Sequence, residues 1–109
     1  MRLLADQALS RAAGAPLVGG NAVELLRDGR ENYPAWLKAI AEARHTIHFE
    51  SYILHGDRTG QIFADAMIAR ARDGVRVRIL VDWLGSLMKS PRRFWRAIHA
   101  AGIEVRAFN

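Results

Sequence analysis

The sequence predicts an α/β fold in which successive βαβ units build a mainly parallel sheet with helices on both faces. Three runs rich in β-branched and apolar residues, 46–54, 75–81 and 103–108, are separated by segments whose apolar residues recur at helical spacing. Strands that alternate with helices require crossover connections, which make neighbouring strands parallel. The joints at 73–78 (DGVRVR) and 101–106 (AGIEVR) are alike, which indicates a recurring helix–Gly–strand unit rather than a solenoid repeat.

Composition limits the class of protein. The chain has 109 residues, half of them apolar, so it is at most one globular domain. Its net charge of +5 favours anionic partners, namely phosphate groups, nucleic acid or an anionic membrane surface. A basic surface without a specific partner is an equal alternative. The absence of cysteine excludes disulfides, thiolate zinc sites and cysteine catalysis.

The first part of the chain is predicted to form an arm and then enter the domain. Apolar residues at helical spacing predict a short helical arm over 3–13, and a loop follows at Gly19–Gly20. We expect residues 1–20 to be this arm and residues 21–109 to be the α/β domain. Within the domain, the pattern predicts a strand over 23–27 and then a helix with Pro34 in its first turn. Asp6 lies where a secretory signal would have its apolar core, and no stretch is long enough to span a membrane.

The predicted strand 46–54 carries a carboxylate, Glu50, at its centre. His48, Glu50 and Tyr52 share one side, because side chains alternate along a strand. A glutamate in so apolar a run costs stability unless it is paired or hydrogen-bonded. The sequence therefore predicts that Glu50 is buried and paired, with Arg76, Arg78 or His48 as the partner.

The remaining elements follow from local start and stop signals. Asp57 or Thr59 is expected to cap a helix that ends at Gly74, and Asp82 ends the strand that follows. Ser90 at the N-cap and Pro91 at N1 predict a last helix that ends at Gly102. Core packing is predicted for most of the four aromatic residues at helical spacing, which are Trp36, Phe63, Phe94 and Trp95.

Ligands of parallel α/β sheets bind beyond the carboxyl ends of the strands. That rule marks residues 54–57 and 82–86 as the candidate site. Asp82 could orient a base, hold a ligand hydroxyl or bind a metal, and a strand-end cap is an equal alternative. Gly85 and Ser86 could offer an N–H group and a hydroxyl to phosphate, although their spacing fits neither a Walker nor a dinucleotide glycine pattern. We predict no metal site, because His45 and His48 point to opposite faces.

Six segments follow one another along almost the whole chain: GNAVELLRDG (20–29), AIAEAR (39–44), IHFESYI (47–53), DRTGQIFADA (57–66), GVRVRILVDWLGS (74–86) and FWR…AGIEVRAFN (94–109). Together and in this order they resemble the phospholipase D superfamily, in its bacterial cardiolipin-synthase-like branch. The motif His-x-Lys-(x)4-Asp of that family is absent, since the residues two positions after the four histidines are Ile47, Glu50, Asp57 and Ala101.

The resemblance implies a function and an incomplete fold. The family's enzymes join two halves around one site, where one histidine forms a phosphohistidine and another acts as acid and base, without metal or cofactor. The chain is then expected to be the N-terminal part of a first catalytic half, inactive alone, with the motif beyond Asn109. Glu50, Asp82, Gly85 and Ser86 would line the rim or support the substrate site.

The resemblance also implies partners and a location. We expect an anionic phospholipid or membrane surface and a second phospholipase D-like half, in the same parent chain or a homodimer, with nucleic acid a weaker candidate. The implied location is the bacterial cytoplasm or the periphery of the inner membrane. Two alternatives stay open, a nuclease or other phosphodiesterase fragment of the same superfamily and a non-catalytic anion-binding module.

Overall fold

A computed structural model describes residues 2–84 and 90–108 of the chain. The described residues form four helices and three strands, and none of the helices is long and apolar enough to cross a membrane. In chain order the elements are α1 (Arg2–Ala13), α2 (Asp28–Glu42), β1 (Thr46–Ser51), α3 (Arg58–Arg72), β2 (Arg76–Asp82), α4 (Arg92–Ala100) and β3 (Glu104–Phe108).

The three strands form one sheet in the order β1-β2-β3, and both pairs are parallel. Helix α3 connects β1 to β2, and helix α4 connects β2 to β3. The predicted α/β class and its βαβ units are therefore confirmed. In the register, Glu50 lies beside Leu80, and Leu80 lies beside Arg106.

One face of this sheet carries the core. Burial alternates along β2, whose residues Val77, Ile79 and Val81 are buried while Arg76, Arg78 and Leu80 are exposed. The buried side chains of the helices join the same cluster, which includes Ile40, Phe63, Met67, Phe94 and Ile98.

The described helices α2, α3 and α4 therefore cover one face rather than the two faces expected. The reason is the order of the strands. Both crossovers step in the same direction across the sheet, and right-handed crossovers in one direction place their helices on one side. The opposite face is open among the described residues.

The two helix–Gly–strand joints end their helices in the same way. Gly74 and Gly102 have φ values of 91° and 82°, which glycine adopts without steric cost. The N–H of Val75 donates to the carbonyl of Arg70 at 3.1 Å, and that of Ile103 donates to Ile98 at 3.4 Å. This is the Schellman pattern, and it explains why the two joints are alike in sequence.

Three predictions about these elements are wrong: the strand over 23–27, the start of the helix that holds Pro34, and the end of the strand 46–54. Residues 23–27 form no strand, and Val23 and Leu25 are 94% and 82% exposed. The alternation there predicts a strand, but no described strand lies beside it to complete the hydrogen bonds. Helix α2 begins at Asp28, so Pro34 lies one turn further in than predicted. Strand β1 ends at Ser51, where its pairing with β2 ends, rather than at Leu54.

Candidate functional site

The carboxyl ends of the strands meet at one cavity, as the parallel sheet requires. Its volume is about 520 Å³. It is lined by Glu50, Ser51, Tyr52, Leu80, Val81, Asp82 and Phe108. Tyr52 and Phe108 were not assigned to the site from the sequence. The rule for strand ends could have found Phe108, the last residue of the predicted strand 103–108, but it missed Tyr52 because the predicted strand 46–54 continued past it.

Glu50 lies on the open face of β1 and is exposed. Within residues 2–84 and 90–108, it takes part in no hydrogen bond or ion pair, so the prediction of a buried, paired carboxylate is wrong. The prediction assumed that both faces of the sheet are covered, whereas the face with Glu50 is not. Arg78, one of the predicted partners, pairs with Glu104 of β3 instead, at 3.3 Å.

Asp82 is the last residue of β2 and is half-buried. It lies beside Phe108 in the register and lines the same cavity as Glu50. The structure therefore brings together the two predicted carboxylates. Gly85 and Ser86 lie outside the described residues, so their role at the rim stays a prediction.

The open face of the sheet carries a charged cluster that the sequence did not reveal. Glu104 accepts a hydrogen bond from Nε of Arg106 on one carboxylate oxygen, at 2.9 Å, and faces Nε of Arg78 with the other. The hydrogen bond and charge of Arg106, with a further contribution from Arg78, lower the pKa of Glu104 from its ordinary value of 4.5. Side chains alternate along β3, which places Glu104 and Arg106 on the same side of the sheet. Arg78 comes next to them only because the register between β2 and β3 pairs it with Glu104.

Ser90 links the loop after β1 to the start of α4. Its hydroxyl oxygen accepts from the N–H of Gly56 at 2.9 Å and donates to the carbonyl of Leu54 at 3.4 Å. Pro91, not Ser90, is the N-cap of α4, so the predicted capping role is wrong. Ser90 instead fixes the loop that the strand-end rule selected. By contrast, Asp57 caps α3 as predicted and accepts from the N–H of Gly60 at 2.8 Å.

A second cavity, of about 310 Å³, lies between α2, the end of β1 and the start of α3. Phe63, Phe94 and Trp95 are buried, as predicted for core aromatics. Trp36, the fourth, is 44% exposed and lines this cavity, so the prediction that most of the four pack in the core is confirmed. Its ring lies beside that of Phe63 of α3, with the centroids 6.2 Å apart, and is only partly covered.

The histidines do not form a reaction centre in the described part of the chain. The cavity at the strand ends has no histidine among its described lining residues. His48 is exposed on the open face, and His99 is exposed in the last turn of α4. No group of three or more histidine, aspartate or glutamate residues in 2–84 and 90–108 could hold a metal ion. The two carboxylates at the cavity can accept hydrogen bonds from hydroxyl groups.

Comparison with known proteins agrees with the ordered motifs. The family described as "Cardiolipin synthase, PLD-like domain", where PLD is phospholipase D, matches residues 36–109. Cardiolipin synthase 1 of Bacillus cereus is 37% identical over 94% of this chain and 20% of its own length. The major cardiolipin synthase of Bacillus subtilis is 38% identical over 81% of this chain and 18% of its own length.

A relative from another bacterial genus has a lower identity. Cardiolipin synthase A of Pseudomonas putida is 31% identical over 94% of this chain and 21% of its own length. The chain thus spans about a fifth of the length of the curated relatives it matches. No solved structure matches it.

Proposed function

We propose, because the chain belongs to the cardiolipin synthase family of phospholipase D-like domains, that it forms the front part of one catalytic half of a phosphatidyl-transferring enzyme. The match over residues 36–109 carries this proposal, since it includes all three strands and the helices between them. The proposed reaction of the parent enzyme moves a phosphatidyl group from one phospholipid to another or to a glycerol-type alcohol, as a step of phospholipid biosynthesis.

The chemistry of that reaction would come from outside this chain. In the mechanism that the family implies, a histidine attacks phosphorus and displaces the alcohol of the first lipid. A second histidine protonates the departing alcohol and later removes the proton of the incoming alcohol, which attacks the phosphohistidine and releases the nucleophile. The sequence holds no His-x-Lys pair, so we propose that both histidines belong to other segments.

The chain's own contribution would be the wall of the site. Glu50 and Asp82 line one cavity at the carboxyl ends of the strands, which is where ligands of parallel sheets bind. Their oxygens would accept hydrogen bonds from the hydroxyls of a glycerol headgroup and hold the incoming alcohol in position. Gly85 and Ser86 would complete this rim. The partners in this proposal are an anionic phospholipid surface and a second phospholipase D-like half, in a bacterium, at the inner membrane.

The first experiment assays the purified chain alone. It should give no turnover of phosphatidylglycerol or of a chromogenic phosphodiester above a matched blank preparation, because the pair of histidines is missing. The control is His48→Ala/His99→Ala, which should match the parent chain. Turnover above the blank that survives this double change would contradict the proposal that the chemistry lies in other segments.

A second experiment tests the role of the wall. The matching segment of the Bacillus cereus relative is replaced by this chain, and the chimera is assayed for conversion of phosphatidylglycerol to cardiolipin. We expect activity, and we expect Asp82→Asn to lower kcat/KM about tenfold by loss of one charged hydrogen-bond acceptor. Glu24→Gln, an exposed change before α2, is the matched control. A folded chimera that is inactive, or one in which Asp82→Asn has no effect, would contradict the proposal.

A further inference from the structure

The cavity between α2, β1 and α3 has aromatic walls. Tyr33 and Trp36 lie three residues apart on α2, which places both on the same side of the helix. Their ring centroids are 5.5 Å apart, and Phe63 of α3 lies 5.6 Å from Tyr33 and 6.2 Å from Trp36. Phe63 is buried, but Tyr33 and Trp36 are 43% and 44% exposed. The cavity therefore has a closed aromatic floor and two rings that a ligand can reach.

The charge of this cavity is opposite to that of the chain. Asp57 lines it, and its position is fixed because Oδ1 accepts the N–H of Gly60 at 2.8 Å. No lysine or arginine of residues 2–84 and 90–108 lines the cavity, although the whole chain has a net charge of +5. His55 is the one basic side chain among the described lining residues, so an anion would meet the carboxylate here without a lysine or arginine to balance it.

Aromatic rings and a carboxylate together select one class of ligand. The face of an aromatic ring carries negative potential, so tryptophan and tyrosine attract cations, and quaternary ammonium groups most characteristically. An ammonium group with alkyl substituents also loses less hydration than a metal ion when it enters an apolar cavity. A volume of about 310 Å³ lies at the small end of ligand sites, which suits a ligand of this size.

We propose that the cavity of Tyr33, Trp36, Phe63 and Asp57 binds an organic ammonium group. The same chemistry is found in free amines such as choline and in the headgroups of zwitterionic phospholipids. The inference does not rest on the proposed phosphatidyl transfer, because it uses only the rings, the carboxylate and the charge of this cavity.

The experiment titrates the whole chain with choline and follows backbone amide signals by NMR. We expect saturable shifts that include the amides of Asp57 and Gly60. The matched probe is 3,3-dimethyl-1-butanol, which replaces the trimethylammonium group by a neutral group of the same shape. It should bind at least about fivefold more weakly, the factor that one cation–π contact supplies. Equal binding of the two probes, or no saturable shift with choline, would overturn the proposal.

Two variants test the named groups. Asp57→Asn keeps a good N-cap, so the fold is retained, but it removes the charge and should weaken choline binding about fivefold. Trp36→Leu should weaken it by a similar factor. Trp83→Leu, an exposed tryptophan that does not line the cavity, is the control and should bind like the parent. Undiminished binding by Asp57→Asn and Trp36→Leu would show that the ammonium group binds elsewhere and would overturn the proposal.

Two further probes separate the sources of the ligand. Glycerophosphocholine carries the ammonium group as a lipid headgroup does, and inorganic phosphate carries only the anion. Tighter binding of glycerophosphocholine than of choline would support the cavity as a headgroup site, and the reverse would support a free amine. Binding of inorganic phosphate with the same amide shifts would overturn the proposal, because it would make the cavity an anion site.

Discussion

The carbonyl oxygen of His55 stands where a Cβ atom on residue 60 would have to lie. The distance from that carbonyl oxygen to an ideal Cβ would be well under 3.0 Å, a distance below which Cβ contacts are essentially never observed. The clashing atom belongs to the backbone, which cannot move aside as a flexible side chain could. Gly60 is therefore required by the close approach of the loop after β1 to the first turn of α3. This contact also holds Asp57 and His55 at the mouth of the aromatic cavity.

Gly60→Ala should lower the free energy of unfolding by about 3 kcal/mol, because the loop must move to admit the methyl group. Helix propensity alone predicts the opposite sign, a gain of about 1 kcal/mol. Urea denaturation followed by circular dichroism measures the difference. Gly19→Ala is the control, since a Cβ at Gly19 meets nothing within 4 Å, and it should change stability by less than about 0.5 kcal/mol. A Gly60→Ala chain as stable as the parent would contradict the contact.

Ser90→Ala should cost about 1–2 kcal/mol, because it leaves the part-buried N–H of Gly56 without its acceptor. The measurement is the same denaturation experiment. Ser10→Ala is the matched control, since its hydroxyl accepts the N–H of Leu17 at 3.0 Å in the exposed arm, where water can replace it. Equal effects of the two changes would mean that the Ser90 link does not hold the loop to α4.

Glu50→Ala should change the free energy of unfolding by less than about 0.5 kcal/mol, because the carboxylate is exposed on the open face. Ile47→Ala, on the same strand but facing the core, should cost about 2–4 kcal/mol. Thermal or urea unfolding of the two variants tests which face of β1 is covered. A large loss from Glu50→Ala would show that this face is covered in solution.

Glu104→Gln should destabilise the chain at neutral pH but not in acid. The folded pKa of Glu104 is lowered by Arg106 first and Arg78 next, so its stabilising effect is fully present above the ordinary value of 4.5. It is lost as the pH falls from there through the lowered pKa of the folded state. The measurement is the difference in Tm between parent and variant at pH 7, pH 5 and below pH 4. Glu24→Gln controls for general acid unfolding, and a difference that grows as the pH falls would contradict the assignment.

Vesicles of phosphatidylglycerol should bind the chain more than vesicles of phosphatidylcholine, and salt should weaken this binding. The reason is the +5 charge, of which Arg92, Arg93 and Arg96 lie exposed on α4. Their position in the first turns of a helix does not suit the helix dipole, which points to a role other than helix stability.

Co-sedimentation across a salt series measures this binding. Changing Arg92, Arg93 and Arg96 to glutamine should reduce it more than the same change at Arg27, Arg30 and Arg44, which removes equal charge from other exposed positions. Equal losses would assign the binding to net charge alone. Vesicle binding that stays constant as the salt concentration rises would exclude an electrostatic origin, because exposed charges are screened beyond a Debye length of about 8 Å at physiological salt.

Local signals in the sequence were sufficient to predict most of the helices and strands and the parallel arrangement of the strands. Asp57 marks the start of α3, and Gly74 and Gly102 mark the ends of α3 and α4, because each of these residues acts within one turn of its own position. Alternation identified β2, and the order of motifs identified the family. The rule for strand ends marked Asp82, which lines the cavity at that edge of the sheet, whereas Glu50 was assigned to the site only through the resemblance.

Only the tertiary structure decided which face of the sheet is covered and which charges pair. Glu50 is exposed because both crossovers place their helices on the other side, and Arg78 meets Glu104 because of the register between β2 and β3. Ser90 bonds to a loop 34 residues away instead of capping its own helix. The side of the sheet on which the crossover helices lie, the register between strands and the contact of Ser90 with a remote loop all depend on contacts between distant parts of the chain. Local sequence patterns do not encode such contacts, because propensity and periodicity act over only a few neighbouring residues.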